Sequence, residues 1–119
     1  MRQPEHLEQV TLFRWVGYQT KAHPELSLLF AIPNGGLRSK ATAAKLKAEG
    51  VKAGVPDICL PVARGEYHGL WIELKAGRNK PTPQQVQWHM RLSQQGYRVA
   101  VCYGWEAARD VIEEYLRVR

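Results

Sequence analysis

Charged side chains interrupt two short apolar stretches in the middle of the sequence. Asp57 opens the first stretch, 57–61, while Glu73 and Lys75 lie within the second, 70–75. Burying an unpaired carboxylate or ammonium group costs several kcal/mol, so a fold retains such groups where they pair or bind metal. Residues two apart in a strand point to the same face, so Glu73 and Lys75 lie side by side. An Asp opposite this pair would make a small metal site with a cation beside it.

The connection between the two stretches predicts that these charges meet. The segment 62–69 is too short for a crossover helix, so the sequence favours an antiparallel hairpin with a loose loop. Antiparallel pairing places the start of the first strand opposite the end of the second. Asp57 is therefore predicted to face Glu73 and Lys75.

Helical and extended patterns on either side of the hairpin define the fold. At 119 residues the chain is predicted to form one domain, 1–119. Apolar periodicity and turn residues predict helices over 4–21, 37–49, 83–95 and 104–118, and strands over 27–32, 57–61, 70–75 and 97–103. The order α-β-α-β-β-α-β-α implies an α/β fold with a mixed four-stranded sheet flanked by helices. The strands on either side of the third helix should be parallel.

Two of the helices carry further candidate residues. Glu8 lies near the edge of the apolar side of the first helix, although a surface Glu that favours the helix dipole is an equal alternative. Thr82 to Gln85 matches a capping box, with Gln85 as the reciprocal partner of Thr82. Gln85 also shares a helix face with Trp88 and Leu92, so it points where the apolar stripe points. Gln85 either completes the cap alone or reaches the predicted site.

Positive charge indicates an anionic partner. Seventeen Lys and Arg against eleven Asp and Glu give a net charge of +6, a modest excess that favours such a partner. Basic residues concentrate in 37–52 and in the loop 76–81, where a solvated surface is the alternative to phosphate contact. The Asn-Gly-Gly turn before the second helix exposes backbone N–H groups, which favours phosphate. The predicted DNA contacts are Asn34, Gly35, Gly36, Arg38, Lys40, Arg78 and Lys80.

Other motifs are absent from the sequence. Cys59 and Cys102 lie in apolar runs without zinc-finger spacing, which predicts reduced thiols in an intracellular protein. No window approaches the roughly 20 apolar residues of a membrane span, so we expect a cytosolic protein without a membrane partner or a small-molecule cofactor. The histidines lack metal-ligand spacing and are expected at the surface or outside the metal ligands: His6, His23, His68 and His89.

The predicted site resembles that of a known nuclease superfamily. Pro56-Asp57 followed by Glu73-Leu74-Lys75 is the signature of the PD-(D/E)xK nucleases as it stands in this sequence. The extended pattern resembles the VRR-NUC domain, in the short stand-alone form found in phages and bacteria, over nearly the whole chain. It adds Pro33-Asn34-Gly35-Gly36, Arg38, Gly54-Val55 and Gln85-x-x-Trp88-x-x-x-Leu92-x-x-x-Gly96. This resemblance implies a restriction-endonuclease-like core.

The resemblance also implies roles for the residues of the hairpin. Asp57 and Glu73 would ligate Mg²⁺ or Mn²⁺ together with the main-chain carbonyl of Leu74, and Lys75 would hold or activate the attacking water. Hard, oxygen-ligated cations suit this donor set, because two carboxylates and a carbonyl leave positions for water and phosphate. The resemblance therefore implies a metal-dependent phosphodiesterase.

The family pattern extends to the helices and to the substrate. Glu8 and Gln85 match the helix-borne acidic and glutamine positions that complete the site. Stand-alone members are similar to archaeal Holliday-junction resolvases, which implies a homodimer that cuts four-way junctions in a bacterial or phage-infected cytoplasm, in DNA repair. The alternatives are a flap or nicking endonuclease, an exonuclease, an enzyme acting on RNA, or a non-catalytic DNA-binding module.

Overall fold

The computed structural model describes residues 4–33 and 39–119, which form a four-stranded mixed sheet flanked by four helices. The helices are α1 (Glu5–Gln19), α2 (Lys40–Ala48), α3 (Pro83–Gln94) and α4 (Trp105–Arg117). The strands are β1 (Phe30–Ala31), β2 (Ile58–Leu60), β3 (Leu70–Lys75) and β4 (Arg98–Tyr103). This order confirms the predicted α-β-α-β-β-α-β-α fold.

The sheet places the predicted hairpin at its centre. The strands lie in the order β1-β2-β3-β4. The β1–β2 and β2–β3 pairs are antiparallel, and the β3–β4 pair is parallel across α3, as the sequence predicts. Ile58 pairs with Ile72, so the register brings the preceding residue, Asp57, alongside Glu73.

Alternate side chains of β3 point to opposite faces of the sheet, which separates its apolar residues from its charged residues. Leu70, Ile72 and Leu74 are buried in the hydrophobic core with side chains of α1 and α4. The intervening residues point to the opposite face, where Glu73 contacts α3. One face of β3 therefore contributes to stability and the other carries charged groups.

The first strand is shorter than the sequence predicts. A 3₁₀ helix, Pro24–Leu28, occupies the beginning of the segment 27–32, and β1 comprises only Phe30–Ala31. Pro24 fixes the first turn of this helix, and the Ser27 hydroxyl donates to the Pro24 carbonyl at 2.8 Å. The prediction of a strand was wrong at Ser27 and Leu28 because proline and serine close a helical turn there.

Helix α2 lies at the periphery and has no buried side chain. The Ser39 hydroxyl caps its first turn by accepting from the Thr42 N–H at 3.1 Å. Lys40 begins the helix and is exposed. Four of the predicted DNA contacts lie outside the described residues: Asn34, Gly35, Gly36 and Arg38.

Candidate active site

Glu73 and Lys75 are buried on the α3 face of the central strand. Glu73 is 1% exposed and Lys75 is 8% exposed, and across 4–33 and 39–119 they are the only charged residues so deeply buried. Burying either charged group without a partner would cost several kcal/mol of folding free energy. Their position on β3 follows from strand alternation, and their burial sets them apart from the surface ion pairs of this chain.

Asp57 joins the start of β2 to the end of β3. Its Oδ2 accepts a hydrogen bond from the Leu74 N–H at 2.8 Å. Its own carbonyl accepts from the Ile32 N–H at 2.7 Å, just beyond β1. Asp57 is thus fixed on both sides, and its side chain also holds the main chain of Leu74, whose carbonyl the family resemblance implies as a metal ligand. The structure brings Asp57, Glu73 and Lys75 together as the hairpin predicts.

The surroundings of Glu73 favour its neutral form. Burial is the largest cause, and a hydrogen bond with the Asp57 side chain and the Asp57 charge add to it, raising the pKa of Glu73 to about 9. The charge of Lys75 opposes this rise, and that of Glu5 on α1 contributes to it. The raised pKa means that the Glu73 carboxyl favours its protonated form at neutral pH, and binding of a cation by this carboxyl would release that proton.

The donor chemistry of this pair fits a hard divalent cation. Within 4–33 and 39–119, no three Asp, Glu, His or Cys side chains group closely enough to hold a metal by themselves. The set that the family resemblance implies has two carboxylates, Asp57 and Glu73, with the Leu74 carbonyl as a third oxygen ligand. Mg²⁺ characteristically uses one or two carboxylates and keeps several waters. The residues present therefore fit such an ion, and their assignment as ligands stays a prediction.

Gln85 both caps α3 and contacts Glu73. Its Oε1 accepts from the Thr82 N–H at 2.8 Å, and the Thr82 hydroxyl accepts from the Gln85 N–H at 3.2 Å. The Gln85 Nε2 donates to Glu73 Oε2 at 3.2 Å. Gln85 therefore completes the capping box and also reaches Glu73, because the oxygen and the nitrogen of its amide contact different partners. Its role in the active site stays a prediction.

His89 also contacts Glu73, although the sequence predicts all four histidines only at the surface or outside the metal ligands. Its Nε2 lies 3.4 Å from Glu73 Oε1, and its side chain is 14% exposed. Burial is the main cause that lowers the pKa of His89, and the charge of Lys75 adds to it. A neutral imidazole can donate from Nε2 to the carboxylate. His89 follows Gln85 by one helical turn, and this spacing is the signal that could have identified it.

We expect His89→Ala to weaken divalent metal binding by about 10-fold, because partners that orient a ligating carboxylate affect affinity at this scale. His89→Gln retains a donor and should recover most of the loss. Titration calorimetry with Mg²⁺ or Mn²⁺ in the absence of DNA measures the effect. Gln87→Ala is the matched control, since Gln87 lies on α3 two residues before His89 and is exposed. Equal affinities in wild type and His89→Ala would contradict this role.

Glu8 contacts the start of α4. Its Oε1 accepts from the Trp105 N–H at 2.8 Å, which satisfies one of the free donors of the first helical turn. Gly104 donates to the carbonyl of Lys75 at 3.1 Å, so this contact lies at the same end of the sheet as Lys75. Glu5, one turn before Glu8, is the α1 carboxylate whose charge raises the pKa of Glu73. The contribution of Glu8 to the site stays a prediction, and its carboxylate already joins α1 to α4.

We expect Glu8→Ala to lower the free energy of unfolding by about 1 kcal/mol, because it removes a charged acceptor from a helix N-terminus. Glu8→Gln keeps an acceptor and should lose less. Urea unfolding followed by circular dichroism measures both variants, with Glu5→Ala as the control one turn earlier. A smaller loss for Glu8→Ala than for Glu5→Ala would count against the capping contact.

The fold and this group of side chains define a class of protein. A mixed four-stranded sheet flanked by helices, with an Asp opposite Glu-x-Lys, is the architecture of restriction-endonuclease-like nucleases. The chain matches the VRR-NUC domain over residues 3–106, and it belongs to that family. A solved structure of a VRR_NUC domain protein is similar to it, with 34% sequence identity and a TM-score of 0.84. The similarity covers 98% of this chain and 91% of the other. No curated protein matches the chain.

Membership in the family gives the general activity. The VRR-NUC domain is a nuclease domain of the PD-(D/E)xK superfamily, whose members normally use divalent metals and bind DNA. No helix in 4–33 or 39–119 is long and apolar enough to cross a membrane.

Proposed function

We propose that this protein is a metal-dependent, structure-specific endonuclease that hydrolyses phosphodiester bonds in branched DNA, with four-way junctions as its preferred substrate. It acts as a homodimer in the cytoplasm. The observation that supports this proposal best is the meeting of Asp57, Glu73 and Lys75 at one end of the central hairpin, with Gln85 against the buried carboxyl group. A module that only bound DNA would gain nothing from a buried carboxyl group beside a second carboxylate.

The chemistry divides between the metal and the chain. Bound Mg²⁺ or Mn²⁺ supplies a hydroxide equivalent near neutral pH and positive charge at the phosphoryl group. Asp57 and Glu73 would provide oxygen ligands for the metal, and Glu73 would release its proton to solvent on becoming a ligand. Lys75 orients the attacking water and stabilises negative charge that develops on the phosphoryl oxygens. Gln85 and His89 hold the two oxygens of Glu73 in place.

The basic loop after β3 supplies contacts to the DNA backbone. Arg78 and Lys80 are exposed and follow Lys75 directly in the chain, so the phosphate they bind lies next to the site. Lys40, at the start of α2, adds a second exposed cation. Contacts of this kind position a substrate by its shape and carry little base information. A four-way junction has two equivalent strands to cut, and two copies related by a two-fold axis provide two sites.

A panel of labelled substrates tests the proposed function. A four-way junction, a flap, linear duplex and single-stranded DNA are incubated with the protein and Mg²⁺, Mn²⁺ or EDTA. We expect paired cuts in the junction at a rate at least about 10-fold above the other substrates, and no cleavage in EDTA. Equal rates on the junction and the duplex would overturn the substrate preference. Cleavage in EDTA would overturn the metal dependence.

A further inference from the structure

Strand β4 presents an open edge. It is the last strand of the sheet, and within the described part of the chain only β3 pairs with it. The N–H groups of Arg98 and Gly104 donate to carbonyls of the β3 segment at 3.0 and 3.1 Å. In a parallel ladder, alternate residues bond to the same neighbour. The intervening residues therefore direct their N–H and C=O groups away from the sheet: Val99, Val101 and Tyr103.

This edge lacks the features that normally prevent strand pairing. Proteins protect exposed edges with lysine, proline, bulges or very short strands. β4 is six residues long and contains neither lysine nor proline. Its only charged residue, Arg98, lies at the beginning and pairs with Glu114 on α4 at 3.3 Å. By contrast, the opposite edge strand, β1, has only two residues. An edge of this length and composition is suited to pairing with another strand.

An uncharged groove runs along the same edge. A cavity of about 330 Å³ lies between α3 and β4, lined by His89, Met90, Ser93, Gln94, Val99 and Val101. Apolar side chains are exposed around it, with Met90 at 58%, Tyr103 at 48% and Val101 at 37%. A DNA-binding surface would carry Lys or Arg here. The groove therefore fits an apolar protein surface better than a phosphate backbone.

We propose that a second copy of this chain pairs with β4 in antiparallel orientation, so that the two sheets join into one. This inference rests on the homodimer in the proposed function and locates its interface. With the two-fold axis at Val101, Val101 lies opposite its counterpart, and Val99 lies opposite Tyr103 of the second copy. The outward N–H and C=O groups of these residues then all find partners. Cross-strand pairs of an aromatic and a β-branched side chain are favourable, and Tyr103 becomes covered.

The self-complementarity of this strip favours a second copy over another partner. Its residues carry no charges of the same sign that would meet across the two-fold axis, since Arg98 lies at the far end of β4. Such an isologous contact closes on itself as a dimer. The axis is perpendicular to the sheet, so the α3 faces of both copies lie on the same side, and Met90 from each copy flanks the joined strands.

The arrangement also fixes where the two sites lie. Glu73 pairs with Val101 in the β3–β4 register. Three strand spacings therefore separate the two Glu73 residues, or about 14 Å across the joined sheet. Both sites face the same side, so one DNA molecule can meet both.

Sedimentation equilibrium of the full chain without DNA tests this interface. Val101→Pro removes an N–H that the fold of one copy does not use, and it blocks strand pairing at an edge. Met90→Lys places a charge in the apolar groove beside the proposed strand pairing. We expect both variants to raise the dimer dissociation constant by about 30-fold or more. Phe30→Lys is the control, because Phe30 lies on the opposite edge strand and is 46% exposed. It should remain a dimer of the 13.6 kDa chain.

The outcomes separate this inference from the proposed function. If Val101→Pro and Met90→Lys stay dimeric while folded, the β4 interface is overturned and the homodimer stands. If Phe30→Lys alone dissociates, the interface lies at the β1 edge instead. A monomeric wild type would overturn both the interface and the homodimer, whereas the cleavage assay judges the nuclease activity independently. Circular dichroism monitors folding, and Met90→Lys alone decides the result if Val101→Pro unfolds.

Discussion

Asp57→Asn is expected to reduce junction cleavage by on the order of 10³-fold while the protein stays folded and binds DNA. The substitution removes one of the two carboxylates proposed to hold the metal. Because the charge of the metal stabilises the transition state, weaker metal binding lowers the cleavage rate. Folding is spared because the Asn side-chain oxygen can still accept from the Leu74 N–H, as Asp57 does at 2.8 Å. Single-turnover cleavage of a labelled junction and a mobility-shift assay of the same DNA measure the two properties separately.

Lys75→Ala should give a loss of similar size through a different group, because it removes the cation that orients the water. Asp110→Asn is the matched control for Asp57→Asn, since Asp110 has a side chain that is 65% exposed on α4. Full activity of both Asp57→Asn and Lys75→Ala would refute the site assignment. A loss of DNA binding equal to the loss of cleavage would indicate instead that these residues act in binding.

In EDTA the stability of the protein is expected to fall as pH rises. The pKa of Glu73 is raised from 4.5 to about 9 in the folded protein, so between these values the folded state holds a proton that the unfolded state releases. This contribution to stability is fully present below pH 4.5 and is lost as pH rises toward 9. His89 has the opposite sign, because its pKa is lowered from 6.5 and its contribution is lost as pH falls below that value.

In a pH range above the His89 titration, Glu73 alone should determine how stability changes with pH. Burial raises the pKa of Cys59 and Cys102 from 9.0 to about 11, so the thiols affect stability mainly above this range. Between about pH 7 and 8.5 the free energy of unfolding should fall by on the order of 2 kcal/mol. Urea unfolding at a series of pH values measures this slope. Glu73→Gln should remove it, whereas Glu113→Gln, with a side chain 48% exposed, should leave it unchanged. A slope that persisted in Glu73→Gln would assign it to another group.

The sequence predicts the fold most reliably where chain connectivity leaves few alternatives. The short connection between the central strands forces an antiparallel hairpin, and the structure confirms the pairing that brings Asp57 to Glu73. The capping box at Thr82 and Gln85 also forms as predicted, because its hydrogen bonds are local. Local signals failed at Ser27, where an apolar run suggested a strand and a preceding proline began a 3₁₀ helix.

The rest of the candidate site depends on packing between distant elements. Periodicity places Gln85 and His89 on α3, but only the packing of α3 over β3 brings His89 to 3.4 Å from Glu73. The contact of Glu8 could not be predicted from sequence for the same reason, since its hydrogen-bond partner, Trp105, is 97 residues away along the chain. Charge patterns indicate which side chains need partners, and the three-dimensional fold decides which partners they meet.

The double use of Gln85 restricts which amino acids this position can tolerate. As the third residue of a capping box, the position would accept glutamate as readily as glutamine. Glutamate would accept from the Thr82 N–H, but it would replace the Gln85 Nε2 that now donates to Glu73 Oε2 at 3.2 Å with a negatively charged acceptor. Gln85→Glu would therefore preserve the helix cap but remove the hydrogen bond to the buried Glu73 carboxyl group. The contact with Glu73 therefore requires a side-chain donor at position 85, which the helix cap alone does not require.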